Sequence, residues 1–401
     1  MGVGEARYLA AREAAGELGV SVATLYAYVS RGMIRSEAAG GRGRRYRAED
    51  VRRLKERKQR RRDPDAVVEG ALSWGTPVLE SAITLVTDDG IYYRGRDAVV
   101  LSAGSTIEEV AALIWTRNPA RAAELFPPEQ PELPPRLGDA LGGLPPLETF
   151  QVLLSLAGAG DPAAYDLRPD AVARIGARIL RLMAGAVSGE VAPGIAETLR
   201  RGWCPQDSGA GALLGASLVL CADHELPVST FAARCVASAE ATPYAAVAAG
   251  LAAVGGVRHG GQIELVEAFL REVEAVGDAR AAISGRLRRG EGIPGFGHSL
   301  YPGGDPRGAE LLRATAAAYP HSPAVALSAE VAEETLGLMG ERPTVDLGLV
   351  TLARVLGLPD GGAVALFALG RTVGWIGHAI EQYEGGSLIR PRARYVGEPI
   401  S

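Results

Sequence analysis

The sequence is poor in cysteine, with three residues at positions 204, 221 and 235 among 401. There is no C-x-x-C pair and the number is odd, which favours buried reduced thiols over a disulfide framework or a zinc site. No apolar run reaches the roughly 20 residues that cross a bilayer, and Met1 to Tyr8 lack the basic and then apolar layout of a signal peptide. These absences predict a cytoplasmic chain with no membrane partner.

Several motifs of catalytic and nucleotide-binding proteins are also missing. There is no G-x-G-x-x-G after a strand, no G-x-x-x-x-G-K-[ST], no G-x-S-x-G and no H-x-x-x-H or H-E-x-x-H. Their absence disfavours a Rossmann or P-loop nucleotide site, a serine nucleophile and a histidine-based metal site. We therefore expect neither a metal ion nor a bound cofactor.

Charge is distributed unevenly along the chain. Residues 1–63 hold 16 Lys and Arg against 8 Asp and Glu, a balance of +8, whereas the remaining 338 residues have a balance of −13. At 47% hydrophobic residues, the composition excludes a disordered chain and allows two or three domains with cores of their own. The charge asymmetry predicts two parts with different roles.

Residues 1–63 are predicted to form two short helices, a basic loop and a third helix. Ser21 is a good N-cap for the second helix, and Gly19 suits the tight turn before it. The loop from Gly40 to Arg47 interleaves glycine with arginine, a composition suited to contact with phosphates. The apolar face of the second helix consists of Val22, Leu25 and Val29, which are expected to pack on Ala14 and Leu18.

Several short motifs follow one another in this region, among them Leu18-Gly19-Val20-Ser21, Thr24-Leu25-Tyr26 and Gly32-Met33-Ile34. In this order, over residues 8–60, the sequence resembles the winged helix-turn-helix domain of the MerR and excisionase type. The resemblance implies a recognition helix from Ser21 to Arg31 and a wing from Gly40 to Arg47. It also implies that a dimer of the chain binds duplex DNA. The candidate DNA-binding residues are Thr24, Tyr26, Arg31, Arg42, Arg44 and Arg45.

Beyond Pro64 the pattern predicts a mainly α-helical body. One hairpin is expected at Ala82 to Val86 and Ile91 to Tyr93, and the proline-rich stretch 126–146 is expected to be a loop or a short-helix excursion. Small residues allow the helices to pack closely. The predicted helices are 171–184, 211–221, 231–239, 245–254, 263–274, 308–318, 325–339 and 362–383.

Four of the five histidines stand in distinctive contexts, namely His224, His259, His298 and His378. His259 and His298 are flanked by glycines, which lets backbone approach a ligand. Arginines at 307, 371, 390 and 392 suit the carboxylates of a small dianionic or trianionic acid. Together with Asp346 in an apolar setting, this inventory suits proton abstraction next to a carbonyl and stabilisation of the resulting enolate.

Around these residues, seven short motifs follow one another along the chain: Ala222-Asp223-His224-Glu225, His259-Gly260-Gly261, Gly295-Phe296-Gly297-His298, Asp305-Pro306-Arg307, Val345-Asp346, Gly370-Arg371-Thr372 and Arg390-Pro391-Arg392. In this order, and over most of residues 80–397, the sequence resembles the citrate synthase family. The resemblance implies an all-α large domain at residues 66–258 and 358–401 and a small domain at 259–357.

The resemblance also implies a role for each residue. Asp346 removes a methyl proton of acetyl-CoA, a co-substrate, while His259 donates a hydrogen bond to the thioester carbonyl. His298 polarises the ketone of oxaloacetate. The residues that hold oxaloacetate would be His224, Arg307, Phe367, Arg371 and Arg390, the last from the partner subunit of a homodimer.

Three departures from the family pattern concern the acyl-CoA. Thr344 stands where Asn is common, the pair Gln262-Ile263 follows His-Gly-Gly in place of Ala-Asn, and Pro302 replaces a basic residue for a CoA phosphate. The leading hypothesis is a citrate synthase, an acyltransferase, with an appended helix-turn-helix module. Two alternatives are a 2-methylcitrate synthase that uses propionyl-CoA and a DNA-binding regulator whose synthase-like body senses a metabolite.

Overall fold

A computed structural model of the chain describes residues 8–30, 33–39, 43–47, 50–51, 54, 79–88, 90–128 and 143–398. The chain forms two compact units, Met1–Glu80 and Ser81–Ser401. The division of the second unit into a large and a small domain remains a prediction.

The described residues of the first unit form two helices, a three-stranded antiparallel sheet and part of the predicted third helix, of which Asp50, Val51 and Leu54 are described. Within the predicted basic loop, residues Gly43–Arg47 form a strand rather than a loop, and the rest of the third helix lies outside the described residues. In chain order the elements are β1 (Tyr8–Ala10), α1 (Ala11–Glu17), α2 (Val22–Ser30), β2 (Ser36–Ala39) and β3 (Gly43–Arg47). Strand β3 lies between β1 and β2, and Tyr46 pairs with both Leu9 and Ser36.

The predicted apolar face of α2 is confirmed. Leu25 is buried with Ala14 and Leu18 of the first helix and its turn, and Val22 and Val29 pack against this core. The Oγ of Ser21 accepts a hydrogen bond from the backbone N–H of Thr24 at 3.2 Å, as expected of an N-cap. Gly19 has φ +60°, a conformation that favours glycine in this turn.

The second unit begins with the predicted hairpin. Strands β4 (Thr84–Thr87) and β5 (Gly90–Tyr93) are antiparallel, Thr84 pairs with Tyr93, and β6 (Arg96–Asp97) adds a short third strand. Within this sheet Ile91 and Tyr93 are buried in the main core, whereas Leu85 is exposed.

Helices form the rest of the second unit, and the eight predicted helices are all present. Proline, which suits the first turn because it lacks an N–H, begins α6, α7, α11, α14 and α15. The helices are α3 (Ala98–Gly104), α4 (Ile107–Thr116), α5 (Ala122–Leu125), α6 (Pro146–Ala159), α7 (Pro169–Ser188), α8 (Ile195–Trp203), α9 (Ala210–Leu220), α10 (Val228–Ser238), α11 (Pro243–Val254), α12 (Gly261–Val276), α13 (Ala279–Arg288), α14 (Pro306–Ala318), α15 (Pro323–Met339), α16 (Val345–Leu356) and α17 (Gly362–Gly385).

Helix α17 runs through the core and packs against α7, α9, α10 and α11. Every residue from Gly362 to Ile380 is buried. By length and hydropathy this helix could cross a membrane, but 94% of its most apolar window is buried inside the protein, as in the central helix of a helical globule. Residues 129–142 of the predicted proline-rich excursion lie outside the described part of the chain.

Candidate active site

The loop that leads from His298 to α14 brings two histidines together. The hydroxyl of Tyr301 lies 2.9 Å from Nε2 of His224, and its ring centroid is 4.9 Å from that of His298. The two imidazole rings meet edge to face with their centroids 5.3 Å apart. His224, which follows the end of α9, and His298 therefore line one site.

The hydrogen bonding of His298 defines its tautomer. The backbone N–H of Leu300 donates to Nδ1 of His298 at 3.2 Å, and a backbone amide can only donate, so Nδ1 carries no proton. Burial and the charge of Arg307 lower the pKa of His298, which keeps the ring neutral. The single proton is then on Nε2, and His298 offers an N–H donor from that atom.

His259 stands just before α12 and contacts α10 and α17. Its Nε2 lies 2.7 Å from Oγ of Ser229, in the first turn of α10, and its ring meets that of Phe367 edge to face at 5.7 Å. Burial and the charge of Arg371 lower the pKa of His259 to about 4. The imidazole is therefore neutral near pH 7, and when the hydroxyl of Ser229 donates to Nε2, Nδ1 carries the donor proton.

Asp305 joins the beginnings of two helices. Its carboxylate accepts from the backbone N–H of Arg307 at the start of α14 (3.0 Å) and from that of Val345, the first residue of α16 (3.0 Å). A side chain at Gly308 would collide with the carbonyl oxygen of Thr344, 2.4 Å from the added Cβ. This close approach brings Arg307 and Asp346 into the same region.

Asp346 lies half-buried in the first turn of α16, where its Oδ2 accepts a hydrogen bond from Oγ1 of Thr344 at 3.1 Å. Burial raises the pKa of its carboxyl, and this effect exceeds the opposing effects of the Thr344 hydroxyl and the Arg307 charge. A carboxylate that is destabilised in this way is a stronger base than an exposed aspartate, which suits the removal of a proton from carbon.

Two buried arginines supply the positive charge of the site. Nε and Nη2 of Arg307 pair with the two carboxylate oxygens of Asp305 at 2.9 and 2.8 Å. Nε of Arg371 donates to the carbonyl oxygen of Cys221 at 3.0 Å, and its guanidinium lies 5.1 Å from the ring centroid of Phe367. Burial and the charges of both arginines hold the pKa of His224 well below its usual value.

The structure thus brings together seven of the residues predicted for the acid-base and substrate site. His224, His298 and Arg307 surround Tyr301, while Phe367 connects His259 to Arg371. Asp346 is close enough to both arginines for their charges to oppose the burial that raises its pKa. Arg390 is different, because it lies exposed in the segment that follows α17.

Some of the predicted DNA-binding residues can also be located. Tyr26 is 53% exposed on α2, and Thr24 is half-buried beside Ser21. Arg44 donates from Nε to Oγ of Ser36 at 3.0 Å, and the Arg45 guanidinium lies 4.4 Å from the ring centroid of Tyr8. Arg31 and Arg42 lie outside the described residues.

Tyr301 and Ser229 both contact histidines of the site, although neither was expected there from the sequence. Tyr301 carries one local signal, since it is an aromatic residue three positions after a histidine in a glycine-rich segment. Its partner His224 belongs to another element, so their contact had no counterpart in local sequence. Ser229 lies five residues after His224 in the chain, but its hydrogen bond to His259 depends on the tertiary fold.

Comparison with known proteins shows the family to which this helical chain belongs. The model of the citrate synthase C-terminal domain matches residues 71–392, and that of the MerR HTH family regulatory proteins matches residues 9–61. The chain belongs to the citrate synthase family, with a MerR-type helix-turn-helix match at its N-terminus.

Three similar proteins illustrate this family. "Citrate synthase 2" of Bacillus subtilis is 29% identical over 352 residues, which cover 80% of this chain and 94% of the relative. "2-Methylcitrate synthase 1" of Corynebacterium glutamicum is 28% identical over 341 residues, or 77% and 90% of the two chains. The fold is also that of citrate synthase from Thermoplasma acidophilum, solved as a ternary complex with carboxymethyl coenzyme A and oxaloacetate (TM-score 0.70, 21% identity, 81% and 95% coverage).

Proposed function

We propose that the protein is a citrate synthase that condenses acetyl-CoA with oxaloacetate to citrate and CoA. The observation that carries the proposal is the grouping of a carboxyl of raised pKa, Asp346, with the neutral imidazoles of His259 and His298. Such a set can remove a proton from carbon and stabilise the enolate oxygen without a metal ion.

In the first step Asp346 accepts a proton from the methyl group of the acetyl thioester. The negative charge that develops on the thioester oxygen is stabilised by a hydrogen bond from Nδ1–H of His259, whose other nitrogen is held by Ser229. The lowered pKa of His259 means that this donor is a neutral imidazole.

In the second step the nucleophilic carbon attacks the ketone of oxaloacetate. His298 donates from Nε2 to the ketone oxygen, because its Nδ1 already accepts from Leu300. The new C–C bond forms as the ketone π electrons move to the oxygen, which takes the Nε2 proton of His298 to give the hydroxyl of citryl-CoA. Water then cleaves the thioester to citrate and the CoA thiol.

The carboxylates of oxaloacetate require fixed positive charge. Arg371 uses Nε for the Cys221 carbonyl, so its two terminal nitrogens form the fork that we assign to a substrate carboxylate. Arg307, held by Asp305, and His224 complete the pocket. We assign Arg390 to the active site of the partner subunit in a homodimer, a role consistent with its exposure in a single chain.

The acyl group is the least determined part of the reaction, since one methylene changes binding by only about 1–3 kcal/mol. The relatives carry both names, citrate synthase and 2-methylcitrate synthase. The test measures release of the CoA thiol from acetyl-CoA and from propionyl-CoA in parallel, each with and without oxaloacetate. A higher kcat/KM for acetyl-CoA supports the proposal, a higher value for propionyl-CoA assigns a 2-methylcitrate synthase, and no release from either overturns both assignments.

For the first unit we propose binding to duplex DNA, on the basis of the MerR-type match and the +8 balance of residues 1–63. An inactive body with intact DNA binding would favour a metabolite-sensing regulator over an enzyme. Anisotropy of a labelled duplex titrated with the full chain, with and without oxaloacetate, tests this function separately from thiol release.

A further inference from the structure

The three residues that precede His224 are each held by the same helix. We call residues 221–223 the anchored segment. Arg371 donates from Nε to the carbonyl oxygen of Cys221 at 3.0 Å, and the backbone N–H of Gly374 donates to the carbonyl oxygen of Ala222 at 2.8 Å. Nε2 of His378 lies 3.3 Å from Oδ2 of Asp223. Positions 371, 374 and 378 share one face of α17, so three helical residues meet three consecutive residues of the anchored segment.

The hairpin holds the anchored segment from another element. Oγ1 of Thr84, on β4, donates to Oδ2 of Asp223 at 2.5 Å. The hydroxyl of Tyr93, on β5, lies 3.2 Å from the carbonyl oxygen of Leu220 and 3.3 Å from that of Asp223. Asp223 is therefore linked to both α17 and the hairpin, while its own main chain leads directly into His224.

Glycine at 374 is what permits this approach. A Cβ at that position would lie 2.2 Å from Oδ1 of Asp223 and 2.6 Å from the carbonyl oxygen of Ala222. The interior of a helix otherwise disfavours glycine. The residue allows the helix backbone itself to bond the anchored segment.

Asp223 and His378 are fully buried, and their side chains are 0% exposed. Removing a carboxylate from water is costly even when it is hydrogen-bonded, and buried polar pairs of this kind often add little net stability compared with apolar residues of similar size. Burial acts to raise the pKa of Asp223, but His378, Arg371 and Thr84 together outweigh it and lower that pKa. The pair is thus better suited to fixing geometry than to stabilising the fold.

We propose that Asp223, held by His378 and Thr84, is a positioning residue for His224 and thereby sets the affinity for oxaloacetate. This inference rests on the proposed function. His224 meets Tyr301 through Nε2, so a small rotation of its backbone would displace the imidazole from the pocket shared with His298. The proton-transfer step uses Asp346 and His259, which lie on other elements, so loss of the Thr84 contact should affect oxaloacetate binding before turnover.

The test uses substitutions of threonine in β4. Thr84→Val removes the hydroxyl but keeps a β-branched side chain in the strand. We expect the KM for oxaloacetate to rise roughly tenfold, with kcat at saturation within about twofold of wild type and the KM for acyl-CoA unchanged. Thr84→Ser, which retains the hydroxyl, should restore most of the affinity.

Thr87→Val is the matched control, because it makes the same change in the same strand. The Thr87 hydroxyl donates to the carbonyl oxygen of Gly90 within the hairpin and does not contact Asp223. Calorimetric titration with oxaloacetate supplies a second readout that is independent of turnover. In the background of Asp223→Asn, Thr84→Val should cause little further loss, because the hydroxyl acts through the carboxylate.

If the wild-type enzyme is active but Thr84→Val and Thr87→Val have the same affinity for oxaloacetate, the positioning role is overturned and the proposed function stays intact. A Thr84→Val variant with lower thermal stability, lower kcat and raised KM values for both substrates, not rescued by Thr84→Ser, would also overturn the positioning role in favour of a purely structural one. A wild-type chain that neither releases CoA nor binds oxaloacetate would refute the proposed function, and the positioning role with it.

Discussion

Thr344 donates a hydrogen bond from Oγ1 to Oδ2 of Asp346 at 3.1 Å. The two residues flank the start of α16, whose first backbone N–H is bonded by Asp305. The proposed base is therefore held at a helix start that is itself tied to Arg307. The hydroxyl also opposes the effect of burial on the pKa of Asp346.

Replacement of the proposed base should abolish turnover without loss of oxaloacetate binding. In Asp346→Asn the amide keeps the size of the carboxylate but cannot accept the methyl proton, so we expect kcat to fall by roughly 10²–10⁴-fold. Stopped-flow or steady-state thiol release measures kcat, and calorimetry measures the Kd for oxaloacetate.

A variant with more than about a tenth of wild-type turnover would rule out proton transfer by Asp346. Thr351→Val is a suitable control on the same helix, because that hydroxyl bonds Ser328 and the carbonyl of Leu347, away from the site.

Removal of the Thr344 hydroxyl should move the acid limb of the pH–rate profile to higher pH. The hydroxyl stabilises the carboxylate form of Asp346, so Thr344→Val raises further a pKa that burial has already raised. Since the rate requires the deprotonated base, activity is then lost at a higher pH on acidification. Profiles of kcat measured from pH 4 to 9 check the shift, and Thr344→Ser, which keeps the hydroxyl, should follow wild type.

Local sequence patterns predicted the helices and the hairpin well, because their signals lie within a few residues. Ser21 capped α2 as expected, and the alanine-rich segments formed α7, α9 and α11. The contacts of Tyr301 with His224 and of Asp223 with His378 were not predicted. Each joins elements distant in sequence, and the geometry that aligns them depends on the packing of α17 in the core.

The buried histidines should make the fold sensitive to acid. His259 has a pKa of about 4 in the folded protein and an ordinary value of 6.5, so between these values the unfolded chain binds more protons. The free energy of unfolding therefore decreases as the pH falls through this range, by on the order of 3 kcal/mol from His259. Denaturant unfolding at pH 7, 5.5 and 4 measures the slope, which His259→Gln should reduce. An unchanged slope in that variant would contradict the lowered pKa.

Mixing two inactive variants should restore activity if Arg390 acts in the active site of the partner subunit. Asp346→Asn and Arg390→Ala each impair every site of their own homodimer. In a mixed dimer, one site has both defects and the other combines an intact Asp346 with Arg390 of the partner subunit. Statistical exchange gives half mixed dimers, so about a quarter of wild-type activity should return.

Thiol release after co-refolding or prolonged mixing measures this recovery, and analytical ultracentrifugation establishes the oligomeric state. Mixing Asp346→Asn with His298→Asn is the control for which we expect no recovery, because we assign both residues to the same subunit's site. A monomeric chain, or mixtures that stay inactive, would contradict the shared site.

The first unit should bind duplex DNA with a strong dependence on salt. If about four basic residues per copy neutralise phosphates, the slope of log K against log salt should be about −0.9 per contact, or roughly −7 per dimer. Arg44→Gln removes one exposed charge of β3 and should make the slope less negative by about 0.9 per copy. Arg288→Gln, an equal change of charge on an exposed residue of the second unit, should leave the slope unchanged.

Anisotropy titrations of the full chain at 50–200 mM salt measure these slopes. Binding that does not vary with salt would refute phosphate contact while leaving the function proposed for the second unit unaffected.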